Sequence, residues 1–359
     1  MPFLRSILTS FFLALFALCF SALAAETRYV QPELETKSPC VIEDKIDFTI
    51  ERQLIKDAPS ISLNRCRNVR IVCCDVRSIS LINCESVTVV NCWVHGAKEP
   101  GIHIELSKKI AVRGCRIENV ATAVYALDSS EVSVTGCYGE NMKGPMPRGQ
   151  FVQFNNIKGP NSLIQGNYCV NYAKKSQPED VVSIFQSEGT EKSPIIIEDN
   201  FFTGDPTQGS EGKSKTGSGI MLGDLGGRYI LCRRNTILSA GAIGIGVAGG
   251  SFITVEGNIV IGKKSNVAGD GMYVWNQSKK PGESILVKGN RVYWENAKGE
   301  SDGWWDGKGF EKMEERDNHF YDEDLRKLNP QPPSKAPLPP RPMKEKGGEV
   351  QLPWKVGNM

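Results

Sequence analysis

From Val69 onward the chain returns again and again to a short run in which β-branched residues alternate with others: VRIVCCDV, VTVVNCWV, IAVRGCRI, VSVTGCYG, SLIQGNYC, IIIEDNFF, YILCRRNTI, ITVEGNIV and ILVKGNRV. Alternation at a period of two, rich in Val and Ile, predicts strands rather than helices. One register fits all nine runs. In it, Cys74, Cys92, Cys115 and Cys137 hold the position that Asn167, Asn200, Asn235, Asn258 and Asn290 hold in the later copies. A second strand series alternates with the first: PSISLN, RSISLI, GIHIEL, AVYALD, FVQFNN, VVSIFQ, GIMLGD, IGIGVA and GMYVWN. Repeats of roughly 20 to 30 residues are the period of a solenoid in which each coil rests on its neighbour.

The paired strand series and the shared Cys/Asn column resemble the right-handed parallel β-helix proteins of the pectate-lyase-like superfamily. The resemblance implies an all-β chain: a single-stranded right-handed parallel β-helix of about nine coils over residues 59–294, with capped ends. Proteins of this shape stack asparagines at an internal turn, which Asn167 to Asn290 match. They also line their substrate cleft with the second strand series.

The shared column makes the cysteines fillers of a turn position. Residues stacked in register keep their Cβ atoms near the coil spacing of about 4.8 Å, whereas a disulfide needs Cβ atoms about 3.8 Å apart. Buried thiols are therefore expected, with a disulfide ladder as the alternative for an exported, cysteine-rich chain. No Cys-x-x-Cys pair occurs and His95, His103 and His319 are scattered, so neither a metal nor any other cofactor is expected.

The ends are of other kinds. An apolar run from Ile7 to Phe20 followed by small residues up to Ala25 reads as a signal peptide over 1–25. It implies a periplasmic or secreted protein with no membrane contact after cleavage. Residues 26–58, with EDKIDFTIERQLIKDA as a short helix or a further strand, are expected to cap one end, and 295–328 the other. Residues 329–359 read as a Pro-rich extended tail. With 43 basic against 41 acidic side chains, the chain carries no nucleic-acid footprint.

Strand alternation turns Ile102, Ile104, Val152, Phe154, Val182 and Ile184 inward and their neighbours outward. One outer row is then His103, Tyr125, Gln153, Ser183, Met221, Gly244 and Tyr273. The next is Glu105, Leu127, Asn155, Phe185, Gly223, Gly246 and Trp275. Arg148, at the mouth of a coil, has the fork to clamp a carboxylate. These residues offer what β-elimination or C5 epimerisation of a uronate needs without a metal. Arg148 with Gln153 or Asn155 neutralises the carboxylate, His103 or Lys174 is the base, and Tyr125 is the acid. Glu179, Asp180, Ser183, Tyr273 and Trp275 are further candidates for contact with an anionic polysaccharide.

Two alternatives remain open at this stage, a glycoside hydrolase on the same fold and a non-catalytic binding or adhesion protein. The chain lacks the Asn-Thr-Asp, Asp-Asp and Gly-His-Gly series of polygalacturonase-like hydrolases and the calcium-binding aspartates of pectate lyases. Asp180 and Asp270 lie three coils apart, about 14 Å at the strand spacing, too far for a hydrolytic pair. Glu105 and Asp128 lie on adjacent coils and could form one.

Overall fold

The computed structural model describes residues 33–172, 174–204, 218–278 and 281–328. The signal-peptide and Pro-rich tail segments fall outside them. Among the described residues every strand between neighbouring coils pairs in parallel, and the coils build an 11-stranded sheet and a 21-stranded sheet. The larger sheet holds two strand columns, joined where Ser218–Arg233 runs unbroken from one column into the other. The molecule is thus a parallel β-helix. Among the described residues no helix is long and apolar enough to cross a membrane.

The stack is longer than the repeat pattern indicates. Strands Cys40–Glu43 and Ile46–Glu51 already pair with Ile61–Asn64 and Arg67–Val72, so the segment before residue 59 forms coils instead of a separate cap. At the other end Trp304–Lys308 and Phe310–Arg316 continue both columns. These outer coils are charged on both flanks, as in IDFTIE and FEKMEER, because only one side of a terminal coil is covered. Their alternation is therefore weak in the sequence. The closing element is the helix Glu323–Lys327, whose Asp322 side chain accepts from the Asp324 N–H. Its buried Leu325 packs on Tyr293 and Ile261.

The interior is a set of side-chain rows, one residue per coil. Leu81, Ile104, Ala126, Phe154, Ile184, Leu222 and Val247 follow one another in register and are essentially fully buried. Ala126 under Phe154 is a small-to-large step that keeps the row filled. Burying such a side chain is worth about 1.5–3 kcal/mol, more than one net hydrogen bond at about 1 kcal/mol. The rows supply most of the stability, and the turns set where the chain bends.

At the bend the Cys/Asn column is real. The backbone N–H of each member donates to the side chain one coil on: Cys115 to Cys137 Sγ (3.4 Å), Cys137 to Asn167 Oδ1 (2.9 Å), Asn167 to Asn200 Oδ1 (2.9 Å) and Asn235 to Asn258 Oδ1 (2.9 Å). The ladder runs one coil further than the repeats, to Asn318. The ten described cysteines are free thiols, and Cys74, Cys92, Cys115 and Cys137 are buried. The residue before each ladder position has positive φ, as at Gly114 (58°), Gly136 (59°), Gly166 (62°) and Gly257 (61°). That turn conformation explains the recurring Gly-Cys and Gly-Asn pairs. Cys73 (52°) and Asn91 (51°) take the same conformation.

A second turn column, not evident in the repeats, accounts for Cys66 and Cys84. Cys84 N–H donates to Ser107 Oγ (2.9 Å) and Ser107 N–H to Ser129 Oγ (2.9 Å), while the Cys66 thiol donates to the Ile42 carbonyl (3.4 Å).

Candidate functional site

The outer face of the first column carries the candidates. The row His103, Tyr125, Gln153, Ser183, Met221 is in register as expected. Beyond it two positions differ. Gly246, not Gly244, continues the row to Tyr273, because Ile245 and Val247 are the buried neighbours. In the adjacent row Phe185 faces Asp224 in place of Gly223, since the register slips there. Gly223 has φ 65°, and a Cβ on it would lie 2.2 Å from the Gly249 carbonyl oxygen. This is a bulge that only glycine fits.

Four candidates meet in one contact chain. The His103 and Tyr125 rings are stacked with centroids 5.5 Å apart. The Arg148 guanidinium carbon lies 4.1 Å from the centre of the Tyr125 ring. Arg148 also donates to Gln153 Oε1 (3.4 Å), and Asn155 Nδ2 donates to the Tyr125 hydroxyl (3.3 Å). His103 Nε2 stands 3.5 Å from Glu105. Burial pulls the His103 imidazole below its ordinary value; Glu105 opposes this, and the Arg148 charge adds to it. These influences favour the neutral imidazole.

Arg148 is fixed from behind by two residues that the repeat pattern does not single out. Gln150, fully buried, donates through Nε2 to the Pro147 carbonyl (3.2 Å) and to Glu179 Oε2 (2.5 Å). Its Oε1 accepts from the Thr122 hydroxyl (3.1 Å), which itself accepts from Gly149 N–H (3.1 Å). The peptide groups on both sides of Arg148 are therefore held. Nothing in a one-residue-per-coil pattern marks such a clamp, because Thr122 and Gln150 precede their strands.

Carboxyl groups gather on the next coils. Burial, then the Asp224 charge, pushes the Glu179 carboxyl up, against the opposing effects of Gln150 and Arg148. Burial likewise raises Asp224. Asp180 is pushed up to about 8 by burial and by Glu179, despite a hydrogen bond with Ser218. Asp270 rises to about 6 through burial and Asp302. Tyr273 is raised by burial and then by Asp180 and Asp224. Its hydroxyl accepts from Gln277 Nε2 (3.1 Å).

Not every candidate joins the cluster. Lys174 is exposed in the turn after Tyr172, with φ 62°, and makes no hydrogen bond or ion pair among the described residues. His103, by contrast, lies within the contact chain. Ser183 is buried beside Gln153. Tyr273 and Trp275 stand at the far end of the face, next to Trp305. Among the described residues no group of three or more His, Cys, Asp or Glu side chains is placed to hold a metal ion.

Residues 59–211 match the family model described as a right handed beta helix region. Together with the parallel coil stack, this gives the chain the fold of a right-handed parallel β-helix. No curated protein matches the sequence. Among solved structures it is similar to the alginate lyase AlyF, at 13% identity over 80% of this chain and 65% of that one, with a TM-score of 0.47. It is similar also to the surface protein and adhesin PfbA of Streptococcus pneumoniae, at 12% identity over 80% and 89%, TM-score 0.49. The periplasmic alginate epimerase AlgG is a third, at 12% identity over 74% and 76%, TM-score 0.39. The chain spans 65% of the length of the lyase.

Proposed function

We propose that this chain is an exported, carbohydrate-active β-helix protein that acts on an acidic polysaccharide, by β-elimination at, or C5 epimerisation of, a uronate residue. The observation that carries the reading is the contact chain His103–Tyr125–Arg148, closed by Gln153 and Asn155. Arg148 and the Gln153 amide receive the uronate carboxylate, which stabilises the negative charge that develops when the C5 proton leaves. Neutral His103 takes that proton. In elimination the electron pair forms the C4–C5 double bond, the C4–O bond breaks, and the Tyr125 hydroxyl gives its proton to the leaving oxygen. Asn155 occupies a lone pair of that hydroxyl, which leaves its proton directed elsewhere. In epimerisation C5 is reprotonated on the opposite face and no bond to oxygen breaks.

The carboxyl groups support a second reading, glycoside hydrolysis. Glu179, held up by burial, would act as acid, and Asp224 as the second carboxylate. One experiment separates the readings. Purified protein is incubated with alginate, polygalacturonate and glycosaminoglycans, and both the ultraviolet absorbance of unsaturated ends and the release of reducing ends are followed. Both signals together indicate elimination, and reducing ends alone indicate hydrolysis. Exchange of the C5 proton with solvent deuterium without chain cleavage indicates epimerisation. Binding with none of the three would leave a non-catalytic carbohydrate-binding protein.

A further inference from the structure

We infer that Trp275 and Trp305 form a platform on which a sugar ring of a bound polysaccharide stacks, several coils away from Arg148 on the same face. The inference rests on the polysaccharide reading above and deepens it, because it makes the ligand a chain long enough to run along the row.

The segment SDGWWDGKGF puts two tryptophans side by side in the strand Trp304–Lys308, so they point to opposite faces. Trp304 serves the fold, since it stacks on Phe320 with centroids 4.4 Å apart and packs against the core. Trp305 has no such packing. It lies on the outer face and is 41% exposed, and Trp275 beside it is 40% exposed. Their centroids are 5.3 Å apart, and Trp305 lies 6.0 Å from Tyr273. Leaving two adjacent indoles about two-fifths exposed forgoes a part of the roughly 1.5–3 kcal/mol that full burial of a large apolar side chain is worth. Such a patch marks a binding surface.

Two glycines lay the neighbouring rings along this face. The pairing slips after Val274, which faces Asp306, so that Trp275 pairs with Lys308 and Gly307 is left over as a bulge. A Cβ on Gly307 would lie 2.5 Å from the Trp275 Cβ. A Cβ on Gly246 would lie 2.6 Å from the Tyr273 ring, whose hydroxyl reaches across to Met221 Sδ at 3.2 Å. The face is therefore a floor of rings rather than a wall.

Its place in the fold names the occupant. Trp305 ends the row that holds His103, since it pairs with Tyr273, Tyr273 with Gly246, and Gly246 with Met221. From Gln153 to Trp305 are five coil steps, about 24 Å at the interstrand spacing. That is the reach of several sugar rings. An indole offers a sugar a flat apolar surface for its C–H face, the kind of contact that aromatic side chains supply in ligand sites.

The test uses the full chain and measures the affinity of size-graded alginate and polygalacturonate oligosaccharides, and of neutral glucan oligosaccharides, by calorimetry and tryptophan fluorescence. Trp305→Ala should weaken binding of oligosaccharides long enough to span the row by about tenfold, the worth of one good aromatic contact, and leave trisaccharides unaffected. Trp305→Phe should recover most of the loss, and Trp275→Ala should resemble Trp305→Ala. Arg148→Ala should weaken long and short uronates alike. Unchanged affinity of Trp305→Ala for every long oligosaccharide would overturn the platform even if Arg148→Ala weakens uronate binding. A concentration-dependent dimer abolished by Trp305→Ala would do the same, by assigning the patch to a second copy. If only the neutral oligosaccharides bind and Trp305→Ala abolishes that binding, the platform stands and the uronate chemistry falls.

Discussion

The guanidinium of Arg148 rests 4.1 Å from the centre of the Tyr125 ring, while the hydroxyl of that ring accepts from Asn155. One contact thus ties the group that would neutralise a carboxylate to the group that would donate a proton. The attraction between cation and ring is worth about 0.5–2 kcal/mol, enough to hold the arginine in place before a ligand arrives. Arg148→Ala is expected to lower kcat/KM on the polymer that proves to be the substrate by about a hundredfold or more, the usual cost of losing one oxyanion-stabilising donor. Tyr125→Phe should lower kcat while leaving KM nearly unchanged. Both variants should melt close to wild type, because neither removes an interior row residue. Full activity in both would move the chemistry to Glu179 and Asp224.

As the proposed base, His103 is expected to set the pH profile. Burial, reinforced by Arg148, holds its imidazole below the ordinary histidine value. A base must be unprotonated, so activity should be full at neutral pH and fall only as the pH drops below the ordinary histidine range. Arg148→Ala removes one of the two influences that lower the value, so the acid limb of any residual activity should move to higher pH. The measurement is kcat/KM from pH 4 to 8 for both proteins. An acid limb that stays in place in the variant would show that another group titrates.

Much of this was legible in the sequence, and the limits have physical causes. The interior rows and the Cys/Asn ladder show because each coil repeats them, one residue at a time. From Cys74 to Asn290 the column reads directly. Asn318 lies at the charged end of the stack, where alternation fades. The slips at Gly223 and Gly307 escape a period-two count, since a bulge shifts the faces of everything after it. The Gln150–Thr122 clamp escapes as well, because loop residues carry no period. The Asn276 side chain donates to the Gly309 carbonyl at 2.8 Å. A turn partner of that kind is visible only in three dimensions.

The ladder has a measurable cost. Asn235 Nδ2 donates to the Ile197 carbonyl (2.9 Å) and to Asn258 Oδ1 (3.0 Å), while Asn235 Oδ1 accepts from Asn200 (2.8 Å). Asn235→Ala strands these buried groups and should destabilise the protein by about 1–3 kcal/mol. Lys192→Ala, at an exposed turn, should change stability by no more than about 0.5 kcal/mol. Urea unfolding of both variants decides it; equal midpoints would show that the ladder contributes nothing to stability.

The thiols of Cys92 and Cys115 are pushed well up, chiefly by burial. Thiolates, not thiols, react. All four ladder cysteines are also buried, so a maleimide probe should leave Cys74, Cys92, Cys115 and Cys137 unlabelled in the native protein and label all four in denaturant. Mass spectrometry without reductant should find each at its free mass. Bridges between these four would overturn their reading as turn fillers.

Asp180 gives the fold a pH dependence whose sign can be worked out. Its carboxyl is held at about 8 in the folded chain by burial and by Glu179, against an ordinary value near 3.8. A group raised on folding contributes its full stability below the unfolded value and loses it as pH rises through the folded one. The stability tied to Asp180 is therefore present near pH 4 and drains away up to about pH 8, by an amount on the order of a few kcal/mol. Asp180→Asn keeps an acceptor for Ser218 and removes the titration. The variant should melt within a degree or two of wild type at pH 4 and clearly above it at pH 8, with the gap widening steadily between them. Melting curves at four pH values measure this. A gap that is constant with pH would mean that Asp180 is ionised in the folded protein throughout, its charge matched by a partner, and that burial does not hold its carboxyl up.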